Sequence, residues 1–199
     1  MRRALSPYPS PHSFDNKIAR MIWTIVSGAL YRSSPRICHG WRRFLLRLFG
    51  ATIGEGVHPY PSARIWAPWN LRMDDHSSLG DHVDCYCVGQ VHIGAHSTVS
   101  QYTFLCTGSH AYTDIKMPLI VSPIHIGERV WVAADAFIGP GATIGDGAVV
   151  GARSSVFGNV EAWTVVAGSP ARVLKKRIFG SLDDGKREEV SDGTYQRTA

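Results

Sequence analysis

His110 closes the run CTGSH, where a regular beat in the chain gives way to the stretch 109–125. A histidine rooted in an ordered scaffold on one side and open to a cleft on the other suits proton transfer. Its ordinary pKa of about 6.5 keeps both protonation states accessible at neutral pH. His76, His82, His92, His96 and His125 fall within or beside the regular stretches and read as surface or corner residues. A zinc site would have to draw on His92, His96 and His110. Cys85 and Cys87 are one residue apart, too close for a zinc knuckle, and no second pair follows them. No metal is expected. Cys106 reads either as a small packing residue or as a nucleophile.

The elements that must hold His110 show most clearly in 126–156. An aliphatic residue recurs at every sixth position: Ile126, Val132, Ile138, Ile144, Val150 and Val156. Four places after each stands Val130, Ala136, Ala142, Ala148, Ser154 or Val160, all small or β-branched. A period of six is neither helical nor simple alternation; it is that of a hexapeptide solenoid, whose short strands wind as a prism. The beat starts at Ile53 and passes Pro59, Ile65 and Leu71. It slips by two to Leu79 and resumes at Ile93, Val99 and Leu105. Slips imply insertions at corners, and loops that leave a rigid scaffold tend to carry function.

Ahead of the solenoid, Ile18, Met21, Ile22, Ile25, Val26 and Leu30 recur at helical spacing, and Ser33-Ser34-Pro35 ends that helix. In HGWRRFLLRLFG a second helix is expected, with Trp41, Phe44, Leu45, Leu48 and Phe49 on its apolar side and Arg42, Arg43 and Arg47 on its charged side. Gly50 is its stop. The organisation read here is a flexible terminus at 1–13, a helical cap at 14–50, an all-β solenoid at 51–177 with a loop at 109–125, and a flexible polar tail at 178–199. Of the net charge of +5, the N-terminal region carries a large part, with Asp15 the single acid between Arg2 and Arg47. Such a region suits capping the open end of a solenoid, or contact with an anionic membrane surface. No recognition motif for nucleic acid accompanies the charge. Neither a secretory signal nor a membrane-spanning run is present, so a cytoplasmic location is expected, with membrane association as an addition.

The runs VHIGAHSTVSQYTFLCTGSH, IHIGERVWVAADAFIGPGATIGDGAVVGA and TVVAGSPARVLKKR resemble those of hexapeptide-repeat acyltransferases. Together with SPRICHGWRRFLLRLFGATIG they are most similar to the colanic acid biosynthesis acetyltransferases, relatives of the maltose, galactoside and nodulation O-acetyltransferases. The resemblance implies a left-handed parallel β-helix, a homotrimer, and acetyl-CoA as cosubstrate lying along a groove that small residues keep narrow. It implies His110 as general base, taking the proton from a saccharide hydroxyl that attacks the thioester directly, in the synthesis of a surface polysaccharide. Ala134 and Ala152 match groove positions beside the pantetheine arm, and Arg172 and Lys175 match cations facing the coenzyme phosphates. Trp131 lines or packs the cleft without chemistry.

Two positions depart from that pattern. The subfamily carries an acid after its catalytic histidine, where this chain has Ala111; Asp114 is the candidate to replace it in orienting the imidazole or binding the acceptor. Where relatives have Thr-Lys-Asp, this chain has Phe157-Gly158-Asn159. Two other functions stay open on sequence alone. One is a non-catalytic or degenerate scaffold docking through its basic helices. The other is a zinc-dependent carbonic-anhydrase-like enzyme on the same solenoid.

Overall fold

The computed structural model describes residues 13–178. The flexible ends expected at 1–13 and 178–199 fall outside them, apart from Ser13 and Ile178. Short parallel strands stack into three sheets that form the faces of a left-handed β-helix. The first face runs through Thr52–Ile53, Leu71–Met73, Val91–Ile93, Ile124–Ile126, Thr143–Ile144 and Asn159–Val160. The second runs through His58–Pro59, Ser78–Leu79, Thr98–Val99, Trp131–Val132, Val149–Val150 and Thr164–Ala167, and Arg172–Lys176 closes it antiparallel. The third comprises Arg64–Ile65, Asp84–Tyr86, Phe104–Cys106, Phe137–Ile138 and Ser155–Val156.

Each coil buries one aliphatic residue per face. Ile126, Val132, Ile138, Ile144, Val150 and Val156 are all buried, as are the small residues four places after them. At two such polar positions the hydroxyl reaches the next coil: Ser97 Oγ donates to Gly127 O and Thr103 Oγ1 to Ala133 O. Corners are made by residues in the left-handed backbone region, among them His76, His82 and His96 with φ of 57, 57 and 59°. The His76 and His96 rings stack at 5.1 Å, and His82 stacks on Tyr102 at 5.1 Å. These histidines are corner residues.

The slips in the beat fall at one edge. Between Ile65 and Met73, between Cys85 and Ile93, and between Leu105 and Ile126, the extra residues always join the third face to the first. The same edge is cut short at Phe157-Gly158, which brings Val160 onto the first face opposite Ile144, earlier than an even beat would. One edge of the prism therefore absorbs every irregularity, and the His110 segment is the longest of them.

Helix α1 (Phe14–Val26) continues through a wider turn at Ser27–Tyr31, and α2 spans His39–Leu48 before Gly50, at φ +85°, ends it. Neither helix simply lays its apolar side on the β-helix. In α1, Trp23 is buried, whereas Ile18, Met21, Ile22 and Ile25 are exposed. In α2, Arg42, Leu45 and Leu46 are buried, and Trp41, Phe44 and Leu48 are exposed.

The reason lies in the solenoid's hydrogen bonding. Each coil donates its N–H groups to the carbonyls of the next, as Gly54 N does to Met73 O, so the first coil's carbonyls have no preceding coil to satisfy them. Helix side chains supply those donors. Trp23 Nε1 reaches Ile65 O, Tyr31 Oη reaches Tyr60 O, Arg42 Nε reaches Pro59 O, Arg43 reaches Val57 O and Arg47 reaches Ile53 O. Arginine faces the β-helix because exposed carbonyl oxygens, not carboxylates, are waiting there.

Candidate active site

The segment expected as a loop at 109–125 is largely a β-hairpin. Gly108–His110 pairs antiparallel with Leu119–Val121, setting His110 opposite Leu119, and the scaffold resumes at Ile124. Its root is fixed to the coil above: Thr107 Oγ1 donates to Tyr86 O and accepts from Gly89 N. Ser122 N donates to Thr107 O, closing the base.

At the open end of this hairpin the exposed His110 ring has its Nδ1 2.7 Å from Met117 O. A carbonyl only accepts, so Nδ1 carries the hydrogen, and in the neutral ring Nε2 keeps its lone pair. The imidazole is thus oriented by a backbone carbonyl rather than by an acid. Met117 is held at φ +45°, inside a turn where Met117 N donates to Asp114 O. Asp114 itself is exposed, and its carboxylate accepts from Lys116 N, shaping the hairpin tip. The orienting role suggested for Asp114 falls to Met117 in this structure. No signal in the sequence marks Met117, because its contribution is a main-chain oxygen.

The other candidates lie elsewhere. Ala134 and Ala152 occupy consecutive corners of the edge joining the second face to the third, linked by Arg153 N donating to Ala134 O. Arg172 pairs with Ala167 at the end of the same edge, and Lys175 pairs with Val165 further along the second face; both are exposed. Phe157, Gly158 and Asn159 share a cavity of about 420 Å³ with Arg172, so the departure from the relatives' pattern bears directly on that arginine's surroundings. Within one chain Ala134, Ala152 and Arg172 sit on a different edge from His110, separated from it by the third face. That face carries a ladder of rings, Tyr86, Phe104, Phe137 and Phe157, with successive centroids 6.3, 5.6 and 5.5 Å apart. Phe104 and Phe137 each precede a beat residue, the one signal by which the ladder was legible in sequence.

Two glycines after the aliphatic beat are required by the close approach of neighbouring coils. A Cβ on Gly94 would lie 2.6 Å from Gly127 C, and one on Gly145 would lie 2.5 Å from Ala162 N. Their smallness lets the coils stack. Trp131 is half exposed on the second face and donates to Ser100 Oγ.

Cys106 is half-buried with its Sγ 3.2 Å from Gly108 O, and burial pushes its thiol up, which disfavours the nucleophilic thiolate. His92 Nε2 is 2.7 Å from Asp74 Oδ2 on the first face. Among the described residues no three His, Cys, Asp or Glu side chains group to hold a metal, His92, His96 and His110 included.

A parallel β-helix whose longest interruption is a hairpin bearing a projecting histidine has the architecture of the hexapeptide-repeat transferases. The family of bacterial transferase hexapeptide (six repeats) matches residues 123–158. The Escherichia coli (strain K12) protein named "Putative colanic acid biosynthesis acetyltransferase WcaF" is 46% identical over 176 residues, 87% of this chain and 97% of that protein. The hexapeptide-repeat acetyltransferase VCA0836 of Vibrio cholerae O1 biovar eltor, solved with acetyl coenzyme A, superposes with a TM-score of 0.77 at 25% identity, over 86% of this chain and 94% of that one. A maltose O-acetyltransferase from Clostridium difficile 630 shares the fold, with a TM-score of 0.72 at 22% identity over 84% and 90% of the two chains. The chain belongs to the hexapeptide-repeat acetyltransferase family and is an acyltransferase.

Proposed function

We propose that the protein transfers the acetyl group of acetyl-CoA to a hydroxyl of a saccharide, or saccharide precursor, of a surface polysaccharide. The observation that carries this reading is the His110 imidazole, oriented through Nδ1 by Met117 O so that Nε2 is available as a base. His110 Nε2 takes the proton of the acceptor hydroxyl as that oxygen bonds to the thioester carbonyl carbon. When the C–S bond breaks, the imidazolium returns the proton to the leaving thiolate, giving an acetyl ester and free coenzyme. No side chain is acylated, consistent with the raised pKa of the Cys106 thiol.

The site is completed between copies of the chain. His110 and the edge bearing Ala134, Ala152 and Arg172 lie on either side of the third face, whose exposed Phe104 and Phe157, with the half-buried Phe137 between them, favour burial. In a homotrimer the His110 hairpin of one copy meets the Ala134–Ala152 edge of the next. There the small alanines leave room for the pantetheine arm, and Arg172 and Lys175 attract the coenzyme phosphates. Acetyl-CoA supply makes the cytoplasm the place of reaction.

The test is incubation of the full chain with acetyl-CoA and a panel of saccharides and nucleotide sugars, read by mass spectrometry. An acetyl ester on one acceptor, formed only with enzyme, is expected. Transfer to an amine but to no hydroxyl would contradict the assignment.

A further inference from the structure

Helix α1 has two apolar faces. One packs Trp23 onto the first coil; the opposite one exposes Phe14, Ile18, Met21, Ile22 and Ile25, which helical spacing gathers into a single stripe. Helix α2 exposes a second stripe, Trp41, Phe44 and Leu48, with Trp41 and Phe44 stacked at 5.7 Å. The stripes are joined, because Trp41 Nε1 donates to Leu30 O at the end of α1, 3.0 Å away, and Leu30 is itself exposed. The end of α1 and the α2 stripe thus meet at Leu30 and Trp41, with exposed aromatic rings at Phe14, Trp41 and Phe44.

Its surroundings are cationic. Asp15 is the only acid among residues 13–50, against Lys17, Arg20, Arg32, Arg36, Arg42, Arg43 and Arg47. Arg42 is buried and Arg47, though exposed, donates to Ile53 O and Gly54 O; Lys17 and Arg32 are exposed, and Lys17 flanks the α1 stripe. No helix among the described residues is long and apolar enough to cross a membrane. An apolar stripe with aromatic anchors and flanking cations fits the interface of an anionic bilayer: rings and aliphatic side chains enter the headgroup boundary while lysine and arginine meet phosphates.

We propose that the joined outer stripes of α1 and α2 dock the enzyme on an anionic phospholipid surface. The proposal is independent of the acyl acceptor, since no residue of the stripe lies on the His110 hairpin or the Ala134–Ala152 edge.

The test is flotation of the full chain with vesicles of phosphatidylcholine alone and of phosphatidylcholine with about one third phosphatidylglycerol. It is run on the wild type and on Met21→Asp/Ile25→Asp, whose substituted positions are exposed, so that folding is retained and checked by thermal melting. Wild type floats with the anionic vesicles about tenfold more than with neutral ones, and the variant does not. Equal flotation of variant and wild type overturns the proposal. So does failure of the wild type to float, including the case in which the wild type forms larger assemblies than the variant without vesicles, which would mark the stripe as a contact between copies.

Discussion

The Nδ1 of His110 lies 2.7 Å from the carbonyl oxygen of Met117, across the hairpin from it. This contact fixes the tautomer and aim of the imidazole using main chain alone. Under the proposed mechanism, it orients the ring without the acid that the family resemblance leads one to expect where this chain has Ala111.

The first prediction concerns the turn that presents this carbonyl. Met117 sits at φ +45°, a region that β-branched residues strongly disfavour and glycine tolerates. Met117→Val is expected to lower kcat about tenfold, with the KM for acetyl-CoA unchanged, because about 1–3 kcal/mol of backbone strain shifts the carbonyl off the ring. Met117→Gly retains most activity. Steady-state kinetics of the two variants make the comparison.

The second prediction concerns assembly of the site. His110→Ala lacks the base, and Ala152→Trp blocks the proposed coenzyme groove. Each is inactive alone. When the two are unfolded and refolded together in equal amounts, about a quarter of subunit interfaces combine an intact His110 with an intact Ala152, and activity returns in that proportion. No recovery would place the whole site within one chain.

Much of this was legible in the sequence, and the failures share one cause. The beat from Ile126 to Val156 identified every buried face, because a coil can hide only one aliphatic residue per side. His110 stood out because the beat stops there. The helical spacing separates an apolar from a charged side in each helix but does not say which meets the β-helix: Arg42 and Leu45 are buried, and Trp41 is exposed. What decides their orientation is a row of carbonyls on the first coil, and main-chain groups leave no trace in residue identity. Met117 escaped notice for the same reason.

The third prediction follows from that row. Arg42 is fully buried and donates to Pro59 O, Pro35 O, Arg36 O and Ser34 Oγ. Arg42→Met strands these acceptors and is expected to destabilise the fold by about 3 kcal/mol. Arg42→Lys rescues little, since one ammonium cannot span the same fork of partners. Denaturant unfolding of the three proteins measures this.

The fourth concerns pH. Burial, helped by the neighbouring Arg42 guanidinium, lowers the pKa of His39 despite its contact with Pro59 O. The folded state therefore binds fewer protons than the unfolded chain. This histidine's contribution is constant above about pH 6.5, becomes unfavourable as pH falls below it, and levels off beneath the folded-state pKa. His39→Gln should flatten the drop in unfolding midpoint between about pH 7.5 and 5.5. An unchanged slope would exclude His39 as its source.

The central claim is that His110 is the general base of acetyl transfer to a hydroxyl. Its most direct test is the kcat of His110→Ala with the identified acceptor, alongside calorimetric binding of coenzyme A to confirm an intact fold and groove. A fall in kcat of about 10²–10⁴-fold with coenzyme affinity preserved is the predicted result. Transfer at the wild-type rate would contradict it.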